Sequence, residues 1–157
     1  MEPTPLFVPA AEGPRIELPA LGITMRVLVP AAATGGQLAM IEETTGPGTG
    51  PPLHVHHQQT ETFHFLDGTY ELAVGERRFR ATPGSSAVVP AGVPHTFRNL
   101  GSAPARLVFI LSPAGEGEAF FHALAVLTAS GGKPEPAALA ALAARFGTEL
   151  VGPPLGG

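Results

Sequence analysis

Cysteine is absent from the 157 residues, which removes disulfides, thiolate nucleophiles and zinc–thiolate sites together. Charge is scarce as well. Asp, Glu, Lys and Arg make up 14% of the chain, and the formal net charge is −4. Gripping nucleic-acid phosphates needs clustered cations, whereas the nine Lys and Arg residues here are scattered, so no nucleic-acid partner is expected. The one basic cluster, Arg77, Arg78 and Arg80, is short and reads as a solvated strand face. No apolar run approaches the roughly 20 residues that cross a bilayer, so no membrane partner is expected either. The opening Met1-Glu2-Pro3-Thr4-Pro5 has neither a positive nor an apolar stretch, and a cytoplasmic location is the expectation.

Apolar residues, by contrast, make up 44% of the chain, enough for one domain with a real core. Twenty glycines and 18 prolines lie scattered between short apolar runs, which implies many turns and therefore many short strands. Strand-like runs fall at 24–29, 37–44, 53–56, 61–66, 70–74, 77–80, 86–89, 95–99 and 105–111, the pattern of an all-β sandwich or barrel. Residues 1–20 form a proline-rich N-terminal arm with room for a short strand at 15–18, and 21–112 form the β domain. Asp67-Gly68 and Gly75-Glu76 are hairpin signals, so residues 61–80 are expected as a three-stranded meander. After Ser112-Pro113 the period changes. Phe120, Leu124 and Leu127 recur at helical spacing, and Leu139, Leu142 and Phe146 repeat the pattern. Residues 113–157 are therefore expected as a helical extension, two short helices packed on the β domain.

All of the six histidines except His122 fall between positions 54 and 95. In His54-Val55-His56 the two rings are two residues apart, so on a strand both project from one face and can converge on one ion. His57-Gln58-Gln59-Thr60 can then turn the chain back, placing a second strand beside the first with Glu61, Phe63 and Phe65 on one face. A carboxylate on so apolar a face carries a large desolvation cost unless it is paired or bound to metal. The turn Pro90-Ala91-Gly92-Val93-Pro94 leads directly into His95, which shares a face with Phe97 and Asn99. Three imidazoles and a carboxylate suit one divalent transition metal, Fe, Ni, Mn, Co or Zn. Strand alternation turns His57 and His64 away from that face, and His122 falls on the first expected helix.

The stretch Gly48-x5-His54-x-His56-x4-Glu61-x6-Gly68 resembles the first conserved motif of the cupin superfamily at every spacing. Gly84-x5-Pro90-x-Gly92-x2-His95-x3-Asn99 resembles the second, and fifteen residues separate the two, as in compact single-domain bacterial cupins. This resemblance implies a jelly-roll (double-stranded β-helix) cupin barrel, with a metal near its open end and His54, His56, Glu61 and His95 as the ligands. It also implies pairing into a homodimer. Residues 139–147 followed by Val151-Gly152-Pro153-Pro154-Leu155 are similar to tails of quercetin-dioxygenase-like cupins.

A metal-dependent dioxygenase acting on a small enol-bearing or aromatic substrate is the first functional expectation, with Glu61 as ligand or as catalytic base. Phe63, Phe65, Leu72, Val89 and Phe97 would then wall the substrate pocket, although a barrel also needs such residues simply to fill its core. A non-catalytic small-ligand-binding cupin is the alternative. Isomerase or lyase chemistry is less favoured, because the candidate anion anchors are Arg98 and Arg106 and alternation turns Arg98 outward.

Overall fold

The computed structural model describes residues 4–156 and contains two antiparallel sheets. The first is built from β1 (Arg15–Leu18), β2 (Ile23–Val29), β3 (Ala39–Thr45), β5 (Thr60–Phe65), β8 (Ser86–Val89) and β10 (Ala105–Ser112), in the spatial order β1-β2-β3-β10-β5-β8. The second contains β4 (Pro52–His56), β6 (Tyr70–Val74), β7 (Arg77–Ala81), β9 (His95–Asn99) and β11 (Thr148–Pro154), in the order β11-β4-β9-β6-β7. Helices α1 (Gly117–Thr128) and α2 (Pro136–Arg145) lie between β10 and β11 in the chain. The fold is a jelly roll: two sheets face each other, and consecutive strands often change sheet.

Alternation explains the core. Along β3 the inward positions are Ala39, Ile41, Glu43 and Thr45; along β10 they are Ala105, Leu107, Phe109 and Leu111. These meet Phe63, Phe65, Tyr70, Leu72 and Phe97 in one apolar cluster between the sheets. Each fully buried side chain of this size contributes about 1.5–3 kcal/mol by leaving water. Edge-to-face rings give the cluster its geometry, with Phe63 5.6 Å from Phe97 and Tyr70 5.9 Å from Phe97 between centroids. The helices are fastened by the same means, since Phe121 stands edge-on to Phe109 at 5.7 Å and Phe120 lies 6.2 Å from Phe146. On α1 the buried stripe runs through Leu124, while Leu127 is exposed.

Two expectations from the sequence are corrected. The run from 61 to 80 is not a three-stranded meander: β5 pairs with β10 and β8, and β6 pairs with β7 and β9 in the other sheet. Gly75-Glu76 does close the β6–β7 hairpin. Asp67-Gly68 instead carries the chain from one sheet to the other. Gly68 adopts φ +73°, and a Cβ there would lie 2.3 Å from that of Ala105. The tight turn is real, but a preference for positive φ is satisfied equally by a hairpin and by a crossing between sheets.

Similarly, β5 does not lie beside β4. Strand β4 pairs with β9 and β11, so the turn at 57–59 also crosses between sheets. The strand β11 was not expected from the sequence, because Gly152, Pro153 and Pro154 disguise it. As an edge strand with register shifts after Leu150 and Gly152, it tolerates residues that a central strand would not. At the other end, residues 15–18 of the proline-rich arm do form a strand, β1, paired with β2.

Candidate metal centre

Each of the four expected ligands occupies an inward strand position, and they come from both walls of the barrel. His54 and His56 lie on β4, and His95 opens β9 directly opposite His54 in the ladder. Their rings are 4.3 Å apart between centroids, and His56 lies 5.0 Å from His54 and 5.4 Å from His95. Glu61 reaches across from β5 in the facing sheet. The turn before β9 is locked onto β4, as Gly92 donates its backbone N–H to the His56 carbonyl at 2.8 Å. Gly92 takes φ +83° to do so, which explains a glycine at that point of the proline-rich turn.

One ligand atom from each of the four residues can be chosen so that all lie within 4.8 Å of one another. Two metal–ligand bonds of about 2.1 Å span about 4.2 Å at most, so a group this tight closes on one ion with little movement. The ring hydrogen bonds agree. His54 Nδ1 is 2.8 Å from the Pro52 carbonyl and His95 Nδ1 is 2.9 Å from the Val93 carbonyl. A carbonyl only accepts, so both Nδ1 atoms carry hydrogens, and each ring turns its Nε2 toward the cluster. His56 Nδ1 meets the Thr148 hydroxyl at 3.0 Å, again on the side away from the cluster. Outer partners that fix each imidazole in this way are a feature of metal-ligating histidines.

The electrostatics suit a cation. Burial opposes ionisation of Glu61, but contacts from His56 Nε2 (3.1 Å) and His95 Nε2 (2.7 Å) to its Oε2 outweigh that and hold the carboxyl below its usual range. Burial, reinforced by the neighbouring His95, pushes His54 down to about 3, so its ring is neutral at physiological pH. For His95 burial acts downward too, but the Glu61 hydrogen bond and charge prevail and the shift is upward. The donor set of three imidazole nitrogens and one ionised carboxylate fits a divalent transition metal.

The other expected residues are placed as follows. Phe63, Phe65, Leu72, Val89 and Phe97 are 0–4% exposed and belong to the closed core. They fill the barrel beneath the histidines, with Phe63 6.2 Å from His95, rather than walling an open pocket. Neither the cleft under residues 6–10 nor the one beside Phe146 and Thr148 is lined by any of them. His57 and His64 point outward, to Glu149 and Ser86 respectively. Arg98 and Arg106 are also on the outside, bonded to the Gly48 carbonyl and to Asp67. Asn99, the last motif position, is a buried staple whose amide donates to the carbonyls of Thr45 and Ala103.

Residues 41–111 match the family model described as Cupin domain. The fold agrees with a solved RmlC-like cupin from Shewanella frigidimarina at a TM-score of 0.63 and 18% identity, covering 75% of this chain and 99% of that one. Residues 41–111 of the chain thus form a cupin domain. This cupin is 31% identical over 98 residues to the HTH-type transcriptional regulator PuuR of Escherichia coli, a match covering 62% of this chain and 52% of the regulator. It is also 35% identical over 72 residues to quercetin 2,3-dioxygenase of Bacillus subtilis, covering 46% of this chain and 21% of the dioxygenase. The matched part thus spans about half of the regulator and a fifth of the dioxygenase. No helix of the cupin is long and apolar enough to cross a membrane among the described residues.

Sequence reasoning missed two participants. Thr148 lies on the unrecognised β11. Glu43 is a second carboxyl inside the barrel, 3% exposed. Its signal was present: in the run 37–44 it shares a face with Ile41, the same argument that singled out Glu61 beside Phe63.

Proposed function

We propose that this cupin is a metal-dependent, dioxygenase-like enzyme acting on a small enol-bearing or aromatic substrate. His54, His56, Glu61 and His95 hold one divalent ion of iron, nickel, manganese, cobalt or zinc. The observation that carries the reading is the buried, pre-oriented donor set, with His54 and His95 tied through Nδ1 to carbonyls and Glu61 held ionised between two rings. When bound, the ion supplies Lewis acidity to a substrate hydroxyl or enol oxygen. Glu61, the ionised interior carboxylate, takes up the substrate proton in this reading as well as acting as ligand. The closed layer of Phe63 and Phe97 beneath the histidines excludes water from the inner side of the site. The similarity to a quercetin dioxygenase supports this reaction class. A cytoplasmic location and a homodimer belong to the same reading.

A second reading is a non-catalytic cupin that binds a small ligand with the help of its metal. The similarity to a transcriptional regulator favours it. Elemental analysis of protein purified without chelators or metal-affinity tags, followed by oxygen-uptake assays with flavonols, separates the readings. About one equivalent of metal with uptake supports the enzyme. One equivalent with saturable flavonol binding and no uptake supports the binding protein. No metal in native or reconstituted protein refutes both.

A further inference from the structure

A cleft of about 510 Å³ lies next to the candidate metal centre, walled by three segments that are far apart in the chain. They are the turn at 57–59, the loop at 113–116 and the residues from 144 to 149 that join α2 to β11. The last two lie outside residues 41–111, so most of this wall belongs to the C-terminal extension rather than to the cupin domain. Thr148 stands between the cleft and the four-residue group. It lines the cleft, and its hydroxyl meets His56 Nδ1, the nitrogen turned away from the other ligands. A molecule in the cleft therefore sits beside a candidate ligand of the ion and does not touch the ion.

The polar side of the wall suits a ligand that donates hydrogen bonds. Gln59 is buried, and its amide nitrogen donates to the carbonyls of Pro113 at 3.2 Å and Ala114 at 2.6 Å. Two carbonyls consume both amide hydrogens, so the group that Gln59 has left for a ligand is its oxygen. The loop is shaped around this amide: Gly115 takes φ +54°, and any side chain there would collide with Gln59 Nε2. Glu116 and Glu149 add carboxylates on the exposed side, and α2 ends here with its negative pole. His57 is tied through Nε2 to Glu149 at 2.7 Å, and no Lys or Arg lines the cleft among the described residues. Phe146, Pro113 and Ala144 supply the apolar surface.

We propose that this cleft binds an uncharged, hydroxyl-bearing aromatic molecule at a site separate from the metal coordination sphere. Its volume falls within the range of about 300–1,000 Å³ usual for small-ligand pockets. The ligand ring packs against Phe146, and a ligand hydroxyl donates to Gln59 Oε1. A carboxylate or phosphate would instead face an amide oxygen, two carboxylates and a helix C-terminus. An ammonium gains little, because Glu149 already meets His57 and Glu116 is exposed to water. The buried acceptor is neutral and matches a neutral donor. The site is complete without an ion, so the inference goes beyond the proposed function.

The test is calorimetric titration at neutral pH with trans-resveratrol, a hydroxylated stilbene without a chelating pair of oxygens. Metal-loaded and chelator-treated protein are expected to bind it with affinities within about threefold of each other. Stilbene-4-carboxylate, an anion on the same frame, is expected to bind at least about tenfold more weakly. Ala144→Trp, at an exposed position in the last turn of α2, fills the cleft from outside the core. It is expected to weaken resveratrol binding more than about tenfold, with metal content and circular dichroism unchanged. If that variant does not fold, Ala144→Leu carries the same comparison. Binding that disappears with the metal places the probe on the ion and overturns the cleft site. Parent-like affinity in the Ala144 variant, equal or tighter binding of the carboxylate, or no binding of resveratrol by the parent each overturns it as well. Absence of bound metal refutes the proposed function alone.

Discussion

Thr148 Oγ1 lies 3.0 Å from His56 Nδ1, although 92 residues separate the two in the chain. The contact exists because β11 pairs with β4 in a register that sets Thr148 directly opposite His56. The C-terminal strand is therefore part of the candidate metal centre. Thr148→Val keeps the shape and β propensity but removes the hydroxyl, and is expected to weaken metal affinity about tenfold or more in chelator competition. Thr148→Ser should restore it. Parent-like affinity in the valine variant would show that the hydroxyl does not hold the ring.

His56→Ala and Glu61→Ala are each expected to lower bound metal well below one equivalent while leaving the β-rich circular dichroism of the barrel in place. The aromatic layer beneath the site is independent of both residues. Full metal occupancy in both variants would refute the ligand assignment.

Glu43 makes stability depend on pH in a specific direction. Its pKa is raised on folding, from 4.5 to about 7. Below pH 4.5 the folded and unfolded chains both hold the proton, and no penalty arises. Between 4.5 and 7 the unfolded chain releases it while the folded chain retains it, so stability falls as pH rises and levels off above 7. Glu43→Gln lacks this term. The variant should gain on the parent by about 3 kcal/mol between pH 4.5 and 8, an upper bound from the size of the shift. Glu61 and Tyr70, the titratable groups that interact with Glu43, are present in both proteins. Urea unfolding at the two pH values measures it, and a constant difference between the proteins would refute the buried, proton-bearing Glu43.

Phe63→Ala is expected to destabilise the fold by about 3–5 kcal/mol, the range for emptying a closed aromatic site. A pocket-lining phenylalanine already in contact with open space would lose much less. A measured loss below about 1 kcal/mol would place Phe63 on a pocket wall after all.

Local regularities of the sequence determined much of this. The period of two in short runs defined by glycine and proline located nine strands to within about two residues at either end. The same period put His54 with His56, and Glu61 with Phe63, on common faces, and the motif spacings brought in His95. These features depend on neighbours a few positions apart, and the fold preserves them.

Only the tertiary structure decided which strands are neighbours. Pairing energy is similar for many combinations of short strands, and tight turns such as Asp67-Gly68 serve hairpins and crossings alike. Hence Glu61 was assigned to a strand beside His56 and instead faces it from the other sheet. Thr148 was invisible as a partner because its strand contains prolines that only an edge position accepts. Glu43 was visible as an inward residue, but not as a titrating one. Its pKa depends on the burial that the facing sheet completes and on Glu61, two strands away across β10. Sequence period assigns a side chain to a face; long-range packing alone determines what that face meets.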